Sequence, residues 1–177
     1  EQHILLIVDA GHPFAEQLHQ TVADVAESLL LPAIRVERIF PPHTPDIAWC
    51  ADYEAARSAL LSAGVKRLLA LTGVQTIGKL KPLTDTGVEC FYRILQRQSS
   101  LDIAHRHGIT DDRLCFYQMG DGDSPLDSEA DELDLMRKLC PDAILTKESG
   151  ITGGFQQKVE AAQNLGIRVF AICRPDT

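Results

Sequence analysis

The sequence predicts an α/β fold: a mostly parallel sheet with helices on both faces. Three observations carry this. Short apolar runs alternate with helical patterns along the whole chain. Several runs are continuous rather than alternating, as in strands buried on both faces. Polar and glycine-containing turns follow almost every run, as in repeated strand–helix units.

The elements follow in order. Ile4-Leu5-Leu6-Ile7-Val8 reads as a buried parallel strand ending at Asp9. Leu18, Val22, Val25 and Leu29 are spaced four, three and four apart, so they share one face of a helix over 15–31. Pro13 is tolerable at that helix's start. Ala33 to Arg38 is a short strand, and Phe40-Pro41-Pro42-His43-Thr44-Pro45 is a linker. Helices are then predicted over 52–63, 75–81, 99–108, 128–139 and 155–165. Strands are predicted over 67–72, 90–95, 114–118, 143–146 and 169–173.

Composition narrows the class of function. The chain has 177 residues, 45% hydrophobic and 24% charged, as in soluble globular proteins. Lys and Arg number 17 against 25 Asp and Glu, a net charge of −8 that argues against nucleic-acid partners. The apolar runs fall well short of the ~20 residues that span a bilayer, so no membrane partner is expected. Cys50, Cys90, Cys115, Cys140 and Cys173 are odd in number and lack a C-x-x-C spacing. Reduced thiols in the cytoplasm are expected, with neither a disulfide framework nor a metal site.

In open α/β sheets, ligands sit beyond the carboxyl ends of the strands. The residues expected there are Asp9-Ala10-Gly11-His12-Pro13, Thr72-Gly73, Gly120-Asp121-Gly122-Asp123, Lys147-Glu148-Ser149-Gly150 and Arg174-Pro175, with Arg93 inside its strand. Thr146 to Gly154 is the richest loop. Its glycines, the following helix N-terminus and Lys147 suit a carboxylate or phosphate, although a solvated strand-to-helix turn would read the same way. His12 could be an acid, a base, a carboxylate donor or a helix-entry residue. His105 and His107 stand two apart on a helix and make a poor metal pair. The acidic run 121–134 departs from a calcium loop, with Asp127 or Ser128 a better reading as a helix cap. Trp49 and Tyr117 read as packing residues. Neither a G-x-G-x-x-G turn after a strand, nor a Walker loop, nor a G-x-S-x-G elbow is present.

Asp9-Ala10-Gly11-His12-Pro13-Phe14-Ala15 resembles the Asp-Ala-Thr-His-Pro-(Phe/Tyr)-Ala segment of the precorrin-6A and cobalt-precorrin-6A reductases. Thr72-Gly73, Arg93-Ile94-Leu95, Thr146-Lys147-Glu148-Ser149-Gly150 and Arg174-Pro175 match later motifs of that family in order. So do Lys158-Val159-Glu160-Ala161-Ala162 and Leu165-Gly166-Ile167. Gly11 replaces the family's usual Thr, and Glu148 stands where Asp or Asn is common. The resemblance implies a Rossmann-like fold and NADPH-dependent reduction of the precorrin-6A macrocycle, or its cobalt form, to precorrin-6B in cobalamin biosynthesis. The family opens with a Gly-rich cofactor lobe. Residues 1–39 are accordingly expected to end that lobe, with 40–177 the substrate-side lobe of the same polypeptide. It further implies His12 as a proton donor at the lobe junction. Asp9, Thr72, Gly73, Arg93, Lys147, Ser149, Gly150 and Arg174 would bind substrate or cofactor. A non-catalytic module binding an anionic ligand is the rival reading; a phosphotransferase lacks its phosphate loop.

Overall fold

The computed structural model describes residues 4–119, 125–126, 129–151 and 154–175. Two units follow one another along the chain. In the first, β1 (Ile7–Asp9) leads through α1 (Glu16–Ser28) to β2 (Ala33–Arg35), and the two strands pair in parallel.

The second unit is larger. It comprises β3 (Ile47–Cys50), α2 (Tyr53–Ser62), β4 (Arg67–Ala70), α3 (Ile77–Asp85), β5 (Glu89–Ile94), α4 (Gln98–Arg106) and β6 (Leu114–Phe116). A small antiparallel pair follows, β7 (Gln118–Met119) with β8 (Pro125–Leu126). Then come α5 (Glu129–Leu139), β9 (Ala143–Lys147), α6 (Phe155–Asn164) and β10 (Arg168–Ile172). Six strands form one parallel sheet in the order β3-β10-β9-β4-β5-β6.

Strand periodicity builds two cores from this one sheet. Leu68 and Ala70 of β4 and Leu145 of β9 face Ala56, Leu60, Ile77, Leu80 and Leu83 of α2 and α3. The intervening Leu69, Leu71 and Ile144 face Met136 of α5 and Phe155, Val159 and Ala162 of α6. Burial on both faces is why β9 reads as the unbroken run Ala-Ile-Leu-Thr. Asp52 caps α2 by accepting the Ala55 N–H at 2.8 Å.

Three expectations are corrected. The first strand is Ile7–Asp9 rather than 4–8, and its apolar run is not buried: Leu5, Val8 and Ile34 are exposed. Two strands and one helix enclose too little volume to cover both faces, so Leu18 and Val25 of α1 are exposed as well. β3 had no counterpart in the sequence reading, because four residues emerging from a proline-rich segment carry too short a pattern. Among the described residues it is an edge strand paired with β10 alone. Strand 114–118 is split into β6 and β7. The caps expected at Asp127 and Ser128, and the 120–123 turn, lie outside the described residues.

Candidate functional site

From β4 the chain proceeds to β5 and β6 on one side, and from β9 to β10 on the other. The β4–β9 boundary is therefore the switch point where an open parallel sheet forms a crevice. Thr72 and Gly73 leave β4 there, Lys147 to Gly150 leave β9, and Arg174 follows β10 next door.

The first unit leans over this edge. Phe14 packs against the first core, and the Lys147 ammonium lies 5.3 Å from its ring centre. Arg38 donates to the Ser149 carbonyl at 2.9 Å, and the Ile151 N–H donates to the Ile39 carbonyl at 3.2 Å. Gly150 lies between them with φ +79°. A Cβ there would stand 3.0 Å from Arg38 Cβ, so a side chain would be crowded as well as strained by the backbone.

Asp9 organises the 9–14 turn. One carboxylate oxygen accepts the Gly11 N–H at 2.9 Å, and the other is 2.6 Å from His19 Nδ1. The Gly11 bond, then His19, holds the Asp9 carboxyl below the usual range. His19 Nε2 lies 3.0 Å from the His12 carbonyl. His12 Nδ1 accepts the Phe14 N–H at 3.2 Å, which puts the neutral ring's proton on Nε2.

Positive charge collects around His12. Burial first, then Arg38 and Lys147, with smaller contributions from His19 and Lys158, push its pKa down to about 4. Lys147 is itself pushed down, by burial first and then by the Lys79 charge. Lys79 lies 4.8 Å from the Tyr53 ring centre. Lys158 is buried and donates to the Gly154 carbonyl at 3.2 Å.

Lys79 and Lys158 stand in the first turns of α3 and α6, where the helix dipole disfavours a cation. Sequence reading passed over Lys79 and Arg38, and met Lys158 only as part of a motif. The unfavourable placement of two lysines just inside helices that follow strand ends was the available signal. At its switch point this acidic protein thus gathers local positive charge.

The structure places the remaining expected residues less uniformly. The Thr72 hydroxyl is buried and bonded to the Thr76 hydroxyl at 2.7 Å, while Thr76 donates to the Gly73 carbonyl at 2.8 Å. Thr72 and Gly73 thus shape the crevice wall. Arg174 stacks on Phe40 at 3.9 Å, and both its backbone N–H and its guanidinium reach Glu148, at 2.9 and 3.2 Å. Arg93 is only 2% exposed, ion-paired with the fully buried Glu132 and stacked on Tyr117 at 4.1 Å. Its charge is paired with Glu132 inside the fold. Tyr117, read as packing, takes Lys158 as well, 5.9 Å from its ring centre. Trp49 does pack, between His43 and Phe155.

Comparison with known proteins assigns the family. The family described as precorrin-6x reductase CbiJ/CobK matches residues 1–177. A cobalt-precorrin-6A reductase of Priestia megaterium is 33% identical, over 99% of this chain and 67% of the relative. One of Synechocystis sp. is 32% identical, over 98% of this chain and 65% of the relative. The chain thus spans about two thirds of the length of these relatives. A solved structure titled CobK precorrin-6A reductase superposes with a TM-score of 0.67 at 20% identity, covering 98% of this chain and 66% of that one. That likeness shows the fold, and the family model spans every motif positioned above: the chain belongs to the precorrin-6x reductase (CbiJ/CobK) family.

Proposed function

We propose that this chain forms the substrate-side part of a reductase that transfers a hydride from NADPH to precorrin-6A or its cobalt form, giving the precorrin-6B oxidation level. One observation carries the reading. Arg38, Lys147 and Lys158 act on His12, and Lys79 on Lys147, at the sheet's switch point in a protein of net charge −8. A macrocycle bearing several carboxylates is an anion of the size and charge such an edge would receive.

The sequence has no G-x-G-x-x-G turn after a strand, the fingerprint that cradles a dinucleotide pyrophosphate, and β1 leads instead into Asp9-Ala10-Gly11-His12-Pro13. NADPH, the hydride source in this reading, would be held by an N-terminal lobe of the same polypeptide. The exposed Leu5, Val8, Leu18, Val25 and Ile34 of the first unit offer that lobe an apolar surface to pack on.

Within this chain, Lys147 and the Ser149-Gly150 backbone would hold substrate carboxylates, and Arg174, positioned by Glu148 and Phe40, would add charge at the rim. His12 is neutral near pH 7 and offers its Nε2–H to a carboxylate. When bound carboxylates offset Arg38 and Lys147, its proton affinity rises, so it is charged and able to donate only in the loaded site. Positioning and charge are what hydride transfer asks of the protein.

The test is anaerobic NADPH oxidation with precorrin-6A and its cobalt form, run with this chain beside the full product of its gene. Turnover by the full product supports the reading. No turnover by a folded full product with either substrate would favour a non-catalytic anion-binding module.

A further inference from the structure

We propose that His43, Glu148 and Cys173 bind one divalent transition-metal ion of the zinc class. The proposal is independent of the reductase reading. The three side chains come from separate segments: the proline-rich stretch before β3, the loop after β9 and the residue just past β10. One donor atom of each lies within 4.8 Å of the others, and His43 Nε2 is 3.1 Å from Glu148 Oε1. Chain spacing could not reveal this, because the residues stand 105 and 25 positions apart.

The donor set selects the metal. An imidazole nitrogen, a carboxylate oxygen and a thiolate suit zinc, cobalt or copper, whereas magnesium and calcium prefer oxygen alone. Around a tetrahedral ion such donors stand about 3.3–3.6 Å apart. His43 and Glu148 are already near that spacing, and a modest turn of the Cys173 or His43 side chain closes the rest. Three protein ligands leave a fourth position for water. His43 is exposed, which gives an ion a way in.

The surroundings hold these ligands in place. The His43 ring stacks on Trp49 at 3.8 Å with an 8° interplanar angle. Trp49 is fixed in turn by its bond to the Thr44 carbonyl at 2.9 Å. The Cys173 backbone N–H is bonded to the Cys50 carbonyl at 2.8 Å. Glu148 is 3% exposed, so its charge acts through little water. The Arg174 guanidinium, 3.2 Å from Glu148 Oε1, is the group an incoming ion displaces; its backbone N–H keeps Oε2 and its Phe40 stack is untouched. Binding releases the Cys173 thiol proton to solvent, and so weakens in acid.

Cobalt(II) titration of the reduced protein tests the site, because a cobalt–thiolate bond adds a charge-transfer absorption in the near ultraviolet. The expected result is one equivalent bound with that band present, and the band abolished on adding zinc. Cys173→Ser should remove the band, and His43→Gln, an exposed position that threatens no core, should weaken binding at least about tenfold. Cys140→Ser, at an exposed thiol elsewhere, should change neither. Absence of the band in the folded, reduced protein, or its survival in Cys173→Ser, overturns the proposal.

Discussion

The Lys147 ammonium at the end of β9 lies 5.3 Å from the centre of the Phe14 ring, so the small first unit and the large sheet meet on one cation. Burial and Lys79 already press Lys147 toward its neutral form. An arriving carboxylate relieves both effects, because it pairs the charge and screens its neighbour. Lys147→Ala should therefore raise KM for the tetrapyrrole about 10–100-fold, the equivalent of about 1.5–3 kcal/mol for one charge-assisted hydrogen bond. Stability should change little, since the lost cation–π contact is worth about 0.5–1 kcal/mol and an unfavourably buried charge disappears with it. Steady-state kinetics and a thermal melt on the same variant separate the two readouts.

Arg93 and Glu132 make the contrasting case. They form an ion pair shut away from water, at 2% and 0% exposure. Removing one partner strands the other charge, so Arg93→Met alone should cost about 3–5 kcal/mol, read as a lowered urea midpoint. Arg93→Met with Glu132→Leu should recover much of that loss. The double variant should also keep the parent KM. A large KM increase there would show that Arg93 does reach the substrate.

Among the groups that make stability fall with acid, His12 and Asp9 act in separate windows. His12 has its pKa pushed from 6.5 to about 4, so the unfolded chain binds more protons between those values. Its contribution is complete above about pH 6.5 and is lost as pH falls toward 4. Asp9 is held below its ordinary 3.8 by the Gly11 N–H and His19, so its contribution persists above that value and is lost beneath it. Chemical denaturation at stepped pH should show the upper window vanish in His12→Gln and the lower one shrink in Asp9→Asn, the rest of it belonging to Glu89, Asp112 and Asp142, which are likewise held below their ordinary values by hydrogen bonds. An NMR titration of the His12 ring should give a midpoint near 4 in the free protein, rising when a polycarboxylate occupies the crevice.

The large sheet was legible because its strands are buried on both faces. Leu68 to Leu71 and Ala143 to Thr146 leave no other reading, and the helices between them repeat at the helical period. The first unit misled for the same reason in reverse: Ile4 to Val8 has the pattern of a buried strand, yet most of it is exposed. Among candidate site residues, those in loops after strands could be named from the sequence, since position alone points to the crevice. Arg38, Lys79 and Lys158 could not, because their meaning lies in which charges they face across the fold. Glu148 stood out only as a departure from a motif; its ties to Arg174 and His43 cross more than twenty and one hundred residues respectively.

Gly150 offers the sharpest test of how the two units are joined. Its φ of +79° lies in the left-handed region, and an added Cβ would stand 3.0 Å from Arg38 Cβ and 3.1 Å from the Ile39 carbonyl. The conformation alone costs a non-glycine residue about 1–2 kcal/mol. The contact also presses on the carbonyl that accepts the Ile151 N–H, one of the bonds tying the first unit down. Gly150→Ala should therefore loosen that junction selectively. Hydrogen exchange should speed at the Ile151 amide, while the Leu71 amide, bonded to the Leu145 carbonyl inside the large sheet, keeps its protection. Equal acceleration at both would mean that the units unfold together and that Gly150 matters to the whole chain. Unchanged exchange at Ile151 would mean that Arg38 can give way, leaving the Arg38 bond to the Ser149 carbonyl dispensable.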